Sequence, residues 1–183
     1  MKLTYFDINA LQEVRLHWVS SASKIPMVSE ASLELIEQFF DFIEQNHMYG
    51  DYHHRSNINT YIGVDLNDDG NIDVIVEVIF YRRGRVKTFK IIDIYNSPSI
   101  EALEDSAYDT KCIHTLVYVV NQFVKESSDV VGSETKIYAR SNTSLRHLAE
   151  FHAAVESIKE QFEAAGLEVT REGERWLSFK VKK

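Results

Sequence analysis

The sequence predicts an α+β fold, and three observations predict it. Residues Val86–Tyr95 (V-K-T-F-K-I-I-D-I-Y) put β-branched and aromatic side chains on both faces, the composition of a buried central strand. Downstream, Ile113, Leu116, Val117, Val120, Phe123 and Val124 recur at the spacing of one helix face. Upstream, strand-like runs are separated by tight-turn signals rather than by helices. Strand, loop and helix in that order place unpaired N–H groups and a positive dipole end at the helix start, where α/β chains hold anions.

Taken in order, Lys2–Ile8 alternates as a first strand, and Asn9–Val19 is a loosely periodic helix through Leu11, Val14, Leu16 and Trp18. Ser20–Pro26 is loop-like and stops at Pro26. Ser29 is an N-cap with Glu30 in the first turn, and Val28 is placed to staple against Leu33. The stripe Leu33, Ile36, Phe39, Phe40, Ile43 follows. Tyr61–Leu66 runs into the hairpin signal N-D-D-G-N, and Ile72–Tyr81 alternates Ile72, Val74, Val76, Val78 and Phe80 on one face. Arg82–Arg85 turns the chain into Val86–Tyr95. A short strand is expected at Lys136–Arg140, then a helix from Thr143 or Ser144 through Phe162, with Gly166 as its stop. Two strands, Leu167–Arg171 and Trp176–Val181, finish the chain around Glu172-Gly173-Glu174.

At 183 residues, 44% hydrophobic and 26% charged, the sequence describes one ordinary globular domain, 1–183. A net charge of −8 argues against nucleic acid as a partner, since phosphate binding needs a basic surface. The single cysteine allows no intramolecular disulfide and suits a reducing compartment. No apolar run reaches the length of a membrane span, and M-K-L-T-Y-F-D is no signal peptide. The expectation is a cytoplasmic protein without a membrane partner.

Tyr108–Leu116, Y-D-T-K-C-I-H-T-L, resembles the cofactor loop of the GNAT superfamily of acyl-CoA N-acetyltransferases, whose usual form is near Y-R-G-K-G-I-G-T-A-L. Tyr108, Lys111, Ile113 and Thr115 match, while Thr110, Cys112 and His114 stand where the family has glycines and Asp109 replaces a common basic residue. The predicted element order β, α, β, β, β, α, β, α, β, β is also the family's. Phe162-Glu163-Ala164-Ala165-Gly166-Leu167 is similar to its Y-x-x-x-G-F, in which the tyrosine protonates the leaving thiolate. Phe162 has no hydroxyl. The resemblance implies a mixed, mostly antiparallel sheet flanked by helices, and it marks this chain as a degenerate member. Each substituted glycine adds a Cβ that obstructs the approach of a pyrophosphate to the backbone.

Two functional expectations follow. The first is a non-catalytic GNAT-fold protein that acts by binding a macromolecule, with a protein partner and no cofactor. The second is an active acyl-CoA-dependent N-acetyltransferase using acetyl-CoA on an amine. In that case Glu77 or Asp93 is the general base, Ile92 N–H polarises the thioester, and Lys111, Cys112, Ile113, His114 and Thr115 hold the cofactor. An acidic surface suits a cationic amine. Asp65, Asn67, Asp69, Gly70 and Asp73 follow the first half of a calcium loop, but Val76 stands where the closing glutamate belongs; an Asp-Gly hairpin accounts for the same residues, and no metal is expected. His47, His53 and His54 have no metal-ligand spacing, and His147 and His152 do not share a helix face.

Overall fold

The computed structural model describes residues 1–26 and 28–182. Its strands are β1 (Lys2–Tyr5), β2 (Asn59–Asp65), β3 (Val74–Arg83), β4 (Val86–Asn96), β5 (Glu134–Tyr138), β6 (Leu167–Glu172) and β7 (Trp176–Val181). Together they form a seven-stranded sheet in the order β1-β2-β3-β4-β5-β7-β6. The helices are α1 (Ile8–Ala22), α2 (Glu30–Gln45), α3 (Pro98–Glu101), α4 (Asp105–Ser127), α5 (Asn142–Ser157) and α6 (Lys159–Ala164). Strands β4 and β5 run parallel; β1–β2, β5–β7 and β6–β7 are antiparallel. The fold is α+β with a mixed, mostly antiparallel sheet flanked by helices, the class expected from the sequence.

The chain packs as two compact units, Met1–Glu77 with Ile94–Tyr108, and Val78–Asp93 with Asp109–Lys183. In the first, Asp7 caps α1 by accepting the Ala10 N–H at 2.8 Å, and Ser29 caps α2 as expected, accepting from Ser32 N–H at 3.2 Å. The stripe of α2 meets α1 through Trp18, which stacks on Phe39 and meets Phe40 edge-on; Tyr61 and Tyr95 close the cluster against Phe39. Trp18 also donates its indole N–H to Ile72 O at 2.8 Å, so its one polar atom is satisfied inside the core. Leu16 does not join this face and is 70% exposed. At Gly63 a Cβ would lie 2.8 Å from the Phe6 ring and 2.9 Å from Ile72 Cδ1, so only glycine lets those two side chains meet over β2.

In the second unit, Phe89, Thr135 and Phe179 lie side by side in register across β4, β5 and β7. Phe123 of α4 stacks on Phe89, and Phe151 of α5 packs on Phe179, so both helices cover this face. The opposite face is polar and aromatic: Lys90 Nζ sits 4.7 Å from the Tyr81 ring centroid, and Lys136 is held between Glu134 and Glu172.

Three helix boundaries differ from the expectation. Helix α1 runs on through Ala22, so Ser20–Ala22, expected as loop, close its last turn. Helix α4 starts at Asp105 rather than around Tyr108, because Glu104 and Asp105 bring carboxylates to the positive end of the dipole. Its buried stripe is Thr115, Leu116, Val119, Val120 and Phe123, while Val117 faces out. The helix expected to run unbroken through Phe162 ends at Ser157 and restarts at Lys159. That break sets Phe162 against Phe179, ring centroids 5.7 Å apart. Gly166 ends the segment at φ +77, a conformation that favours glycine.

Candidate functional site

The segment matched to the cofactor loop lies inside α4. Tyr108 N–H donates to Glu104 O at 2.9 Å, so from Tyr108 onward the backbone donors close the helix on itself. The N–H groups that a helix cannot pair internally precede Tyr108, in a stretch carrying Glu101, Glu104 and Asp105. Along the helix, Lys111, Cys112 and Ile113 are half-buried and His114 is exposed. Thr115 is buried in the packing stripe, with its hydroxyl oxygen unpaired.

On the sheet, the β4–β5 register runs from Thr88–Glu134 to Ile91–Ile137, and Ile92 and Asp93 are the next residues of β4. Past Tyr138, the end of β5, the chain stays alongside the residue that precedes β7. Ala139 N–H donates to Arg175 O at 2.9 Å, and the Arg175 guanidinium donates to the carbonyls of Ala139 and Arg140 at 2.8 and 3.0 Å. Arg140, carried by this departing segment, reaches Asp93, with Nη1 3.4 Å from Oδ2.

Glu77 belongs to the first unit and is buried on β3. Its carboxylate accepts from the Asn59 amide and, at 3.2 Å, from the Tyr95 hydroxyl. A buried carboxylate needs such donors, because desolvation otherwise disfavours its charge. The structure thus gives each candidate base its own set of partners: neutral donors for Glu77, a guanidinium for Asp93.

One polar cluster has no counterpart in the sequence reading. Asp109 of α4 receives the His147 imidazole of α5 at 3.0 Å and the Arg146 guanidinium at 2.6 Å, both on Oδ1. A carboxylate only accepts, so Nε2 of His147 carries the proton. The His147 hydrogen bond, and then the Arg146 charge, outweigh burial and hold the Asp109 carboxyl below its ordinary range. His152 faces Glu156 instead, at 3.6 Å, so the two histidines diverge as their spacing implies. Nothing in the sequence joins positions 38 apart; only the packing of α5 against α4 does.

The acidic turn is folded around the carboxylates of Asp65 and Asp73. Asp65 is buried, and its two oxygens accept the N–H groups of Asn67, Asp68, Asp69 and Gly70. Asp73 accepts from Leu66 N–H and the Asn67 amide, and Asp69 accepts from Asn71 N–H. Among the described residues, no three His, Cys, Asp or Glu side chains gather as metal ligands. Among the described residues, no helix is long and apolar enough to cross a membrane.

No family model matches this chain, and a search of curated proteins returned no match. Among solved structures it is similar to a crystal structure of a probable acetyltransferase, at 12% identity over 86% of this chain and 88% of that one, with a TM-score of 0.42. At that TM-score the superposition adds no argument to what the strand order shows.

Proposed function

We propose that this chain is a non-catalytic protein of acetyltransferase-like fold that works by binding a protein partner and does not use coenzyme A. The observation that carries the proposal is the start of α4 at Asp105, which commits the N–H groups from Tyr108 to Thr115 to the helix's own carbonyls. A pyrophosphate needs several such donors free and close, and the side chains at Thr110, Cys112 and His114 keep it from the backbone. The donors left at the helix start share it with Glu104 and Asp105, whose charge repels phosphate.

Other features support the reading. Phe162, at the position of the family's acid, packs on Phe179 and carries no proton to give. Asp93 is engaged by Arg140. For a partner surface, the side of α2 away from its packed stripe exposes Leu35 (66%) and Phe42 (48%), seven residues apart. The competing reading, an active N-acetyltransferase, draws on the end of the β4–β5 register at Ile91. There Ile92 N–H, with Asp93 as base, would serve the chemistry.

Release of free coenzyme A from acetyl-CoA in the presence of a panel of primary amines tests the choice. The proposal expects a rate equal to the protein-free control. Turnover that is abolished by Glu77→Gln or Asp93→Asn would replace it with the enzyme reading.

A further inference from the structure

A cavity of about 440 Å³ lies within the first unit, between β1, α1 and the turn that joins β2 to β3. Its floor is apolar: Phe6, Val14 and Ile72 are each less than 10% exposed, and Gly63 beneath them is what lets Phe6 and Ile72 meet. Its walls are polar. Strand alternation puts Lys2 and Thr4 on the cavity side of β1, and helical spacing puts Glu13 and His17 one turn apart on α1. The turn contributes Asp68 and Asn71.

Two features set this cavity apart from an ordinary surface hollow. First, the side chains of Lys2, Glu13, His17, Asp68 and Asn71 form no hydrogen bond or ion pair among the described residues. Glu13 and His17 have the i, i+4 spacing that would let them pair, and they do not. On the same helix, Arg15 is held by Glu37 and Asp41. Second, the turn is fixed before any ligand arrives. The Asp65 carboxylate gathers four of its N–H groups, Trp18 holds Ile72 O, and Asp68 is set in the left-handed region at φ +59. Binding then requires little ordering of the protein.

We propose that this cavity binds a free α-amino acid with an apolar side chain. Both signs of charge line it, which selects a zwitterion over a simple cation or anion. The ligand ammonium answers Glu13 and Asp68, its carboxylate answers Lys2 and His17, and its side chain lies on the floor of Phe6, Val14 and Ile72. The volume suits a ligand of this size. This site is independent of the partner-binding function proposed above and stands or falls separately.

Titration of the full chain with L-leucine, followed by NMR chemical shifts and by calorimetry, tests the inference. Saturable shifts in Phe6 and Ile72 are expected. N-acetyl-L-leucine, which lacks the ammonium, and L-leucinamide, which lacks the carboxylate, should each bind at least about tenfold more weakly. Lys2→Met and Glu13→Gln alter exposed side chains, leave the fold intact by circular dichroism, and should each weaken L-leucine by a similar factor. Absence of saturable shifts with L-leucine, L-valine and L-phenylalanine would overturn the proposal. So would equal binding of N-acetyl-L-leucine, or affinity unchanged in both variants.

Discussion

Replacing Asp65 tests how the turn between β2 and β3 is built. Four backbone donors converge on its carboxylate, from Asn67 at 3.1 Å, Asp68 at 2.6 Å, Asp69 at 3.3 Å and Gly70 at 2.7 Å. A hydrogen bond to a charged group contributes about 1.5–3 kcal/mol net. The Asp68 and Gly70 bonds are short and carry most of that; the two longer ones are readily replaced by water at an exposed turn. Asp65→Ala should therefore destabilise the fold by about 3–5 kcal/mol. Asp65→Asn keeps one oxygen for Asn67, Asp68 and Asp69 and turns an NH₂ toward Gly70 N–H, a loss of about 1–3 kcal/mol. Urea unfolding of the three proteins at neutral pH measures both values. The pH dependence adds a second check. Burial pushes the Asp65 carboxyl up, but the backbone donors from Gly70, Asp69, Asp68 and Asn67 together outweigh it and hold it below its ordinary 3.8. Its contribution is complete above that ordinary value and drains away as pH falls through the lower folded value. Asp65→Asn should accordingly flatten the acid limb of the stability profile. A loss below about 1 kcal/mol for Asp65→Ala would refute the reasoning, because water would then satisfy the turn as well as the carboxylate does.

Trp18→Phe keeps the aromatic packing but leaves Ile72 O without its donor, and should lower stability by about 1–2 kcal/mol in the same urea assay. Gly63→Ala drives a methyl into the Phe6 ring and Ile72 Cδ1, and overpacking of this kind destabilises by about 1–3 kcal/mol; a smaller cavity should also reduce any L-leucine binding. Asp109, held below its ordinary range chiefly by the His147 hydrogen bond, contributes stability above pH 3.8 that is lost in more acidic solution. Thermal melts from pH 2 to pH 6 should show Asp109→Asn losing less stability on acidification than the unaltered chain, about as predicted for any depressed carboxylate.

Much of the fold was legible because local chemistry and tertiary packing agree. Ser29 reads as an N-cap and acts as one, and the stripe from Leu33 to Ile43 meets α1 as its period requires. Strand β3 shows buried residues at Ile75 and Glu77 as well as on the predicted face, because a strand inside the sheet order is covered on both sides. Boundaries were less legible. Tyr108–Leu116 was aligned to a loop by its side chains, yet Asp105 and the apolar stripe behind it extend α4 over that segment, and side-chain likeness does not report where a helix begins. The break at Ile158 carries no glycine or proline, so no local residue signals it. The candidate sites were least legible. Asp109 with His147, Asp93 with Arg140 and Glu77 with Asn59 and Tyr95 join residues distant in sequence, and each pairing exists only once the strands and helices are packed.

Calorimetric titration of the protein with acetyl-CoA at low salt tests the central claim most directly. With the N–H groups of α4 committed to the helix, the account predicts no saturable heat up to millimolar cofactor. Micromolar binding that disappears on changing Lys111 to glutamate would contradict it, since the cofactor would then be held at the helix segment this account closes to it.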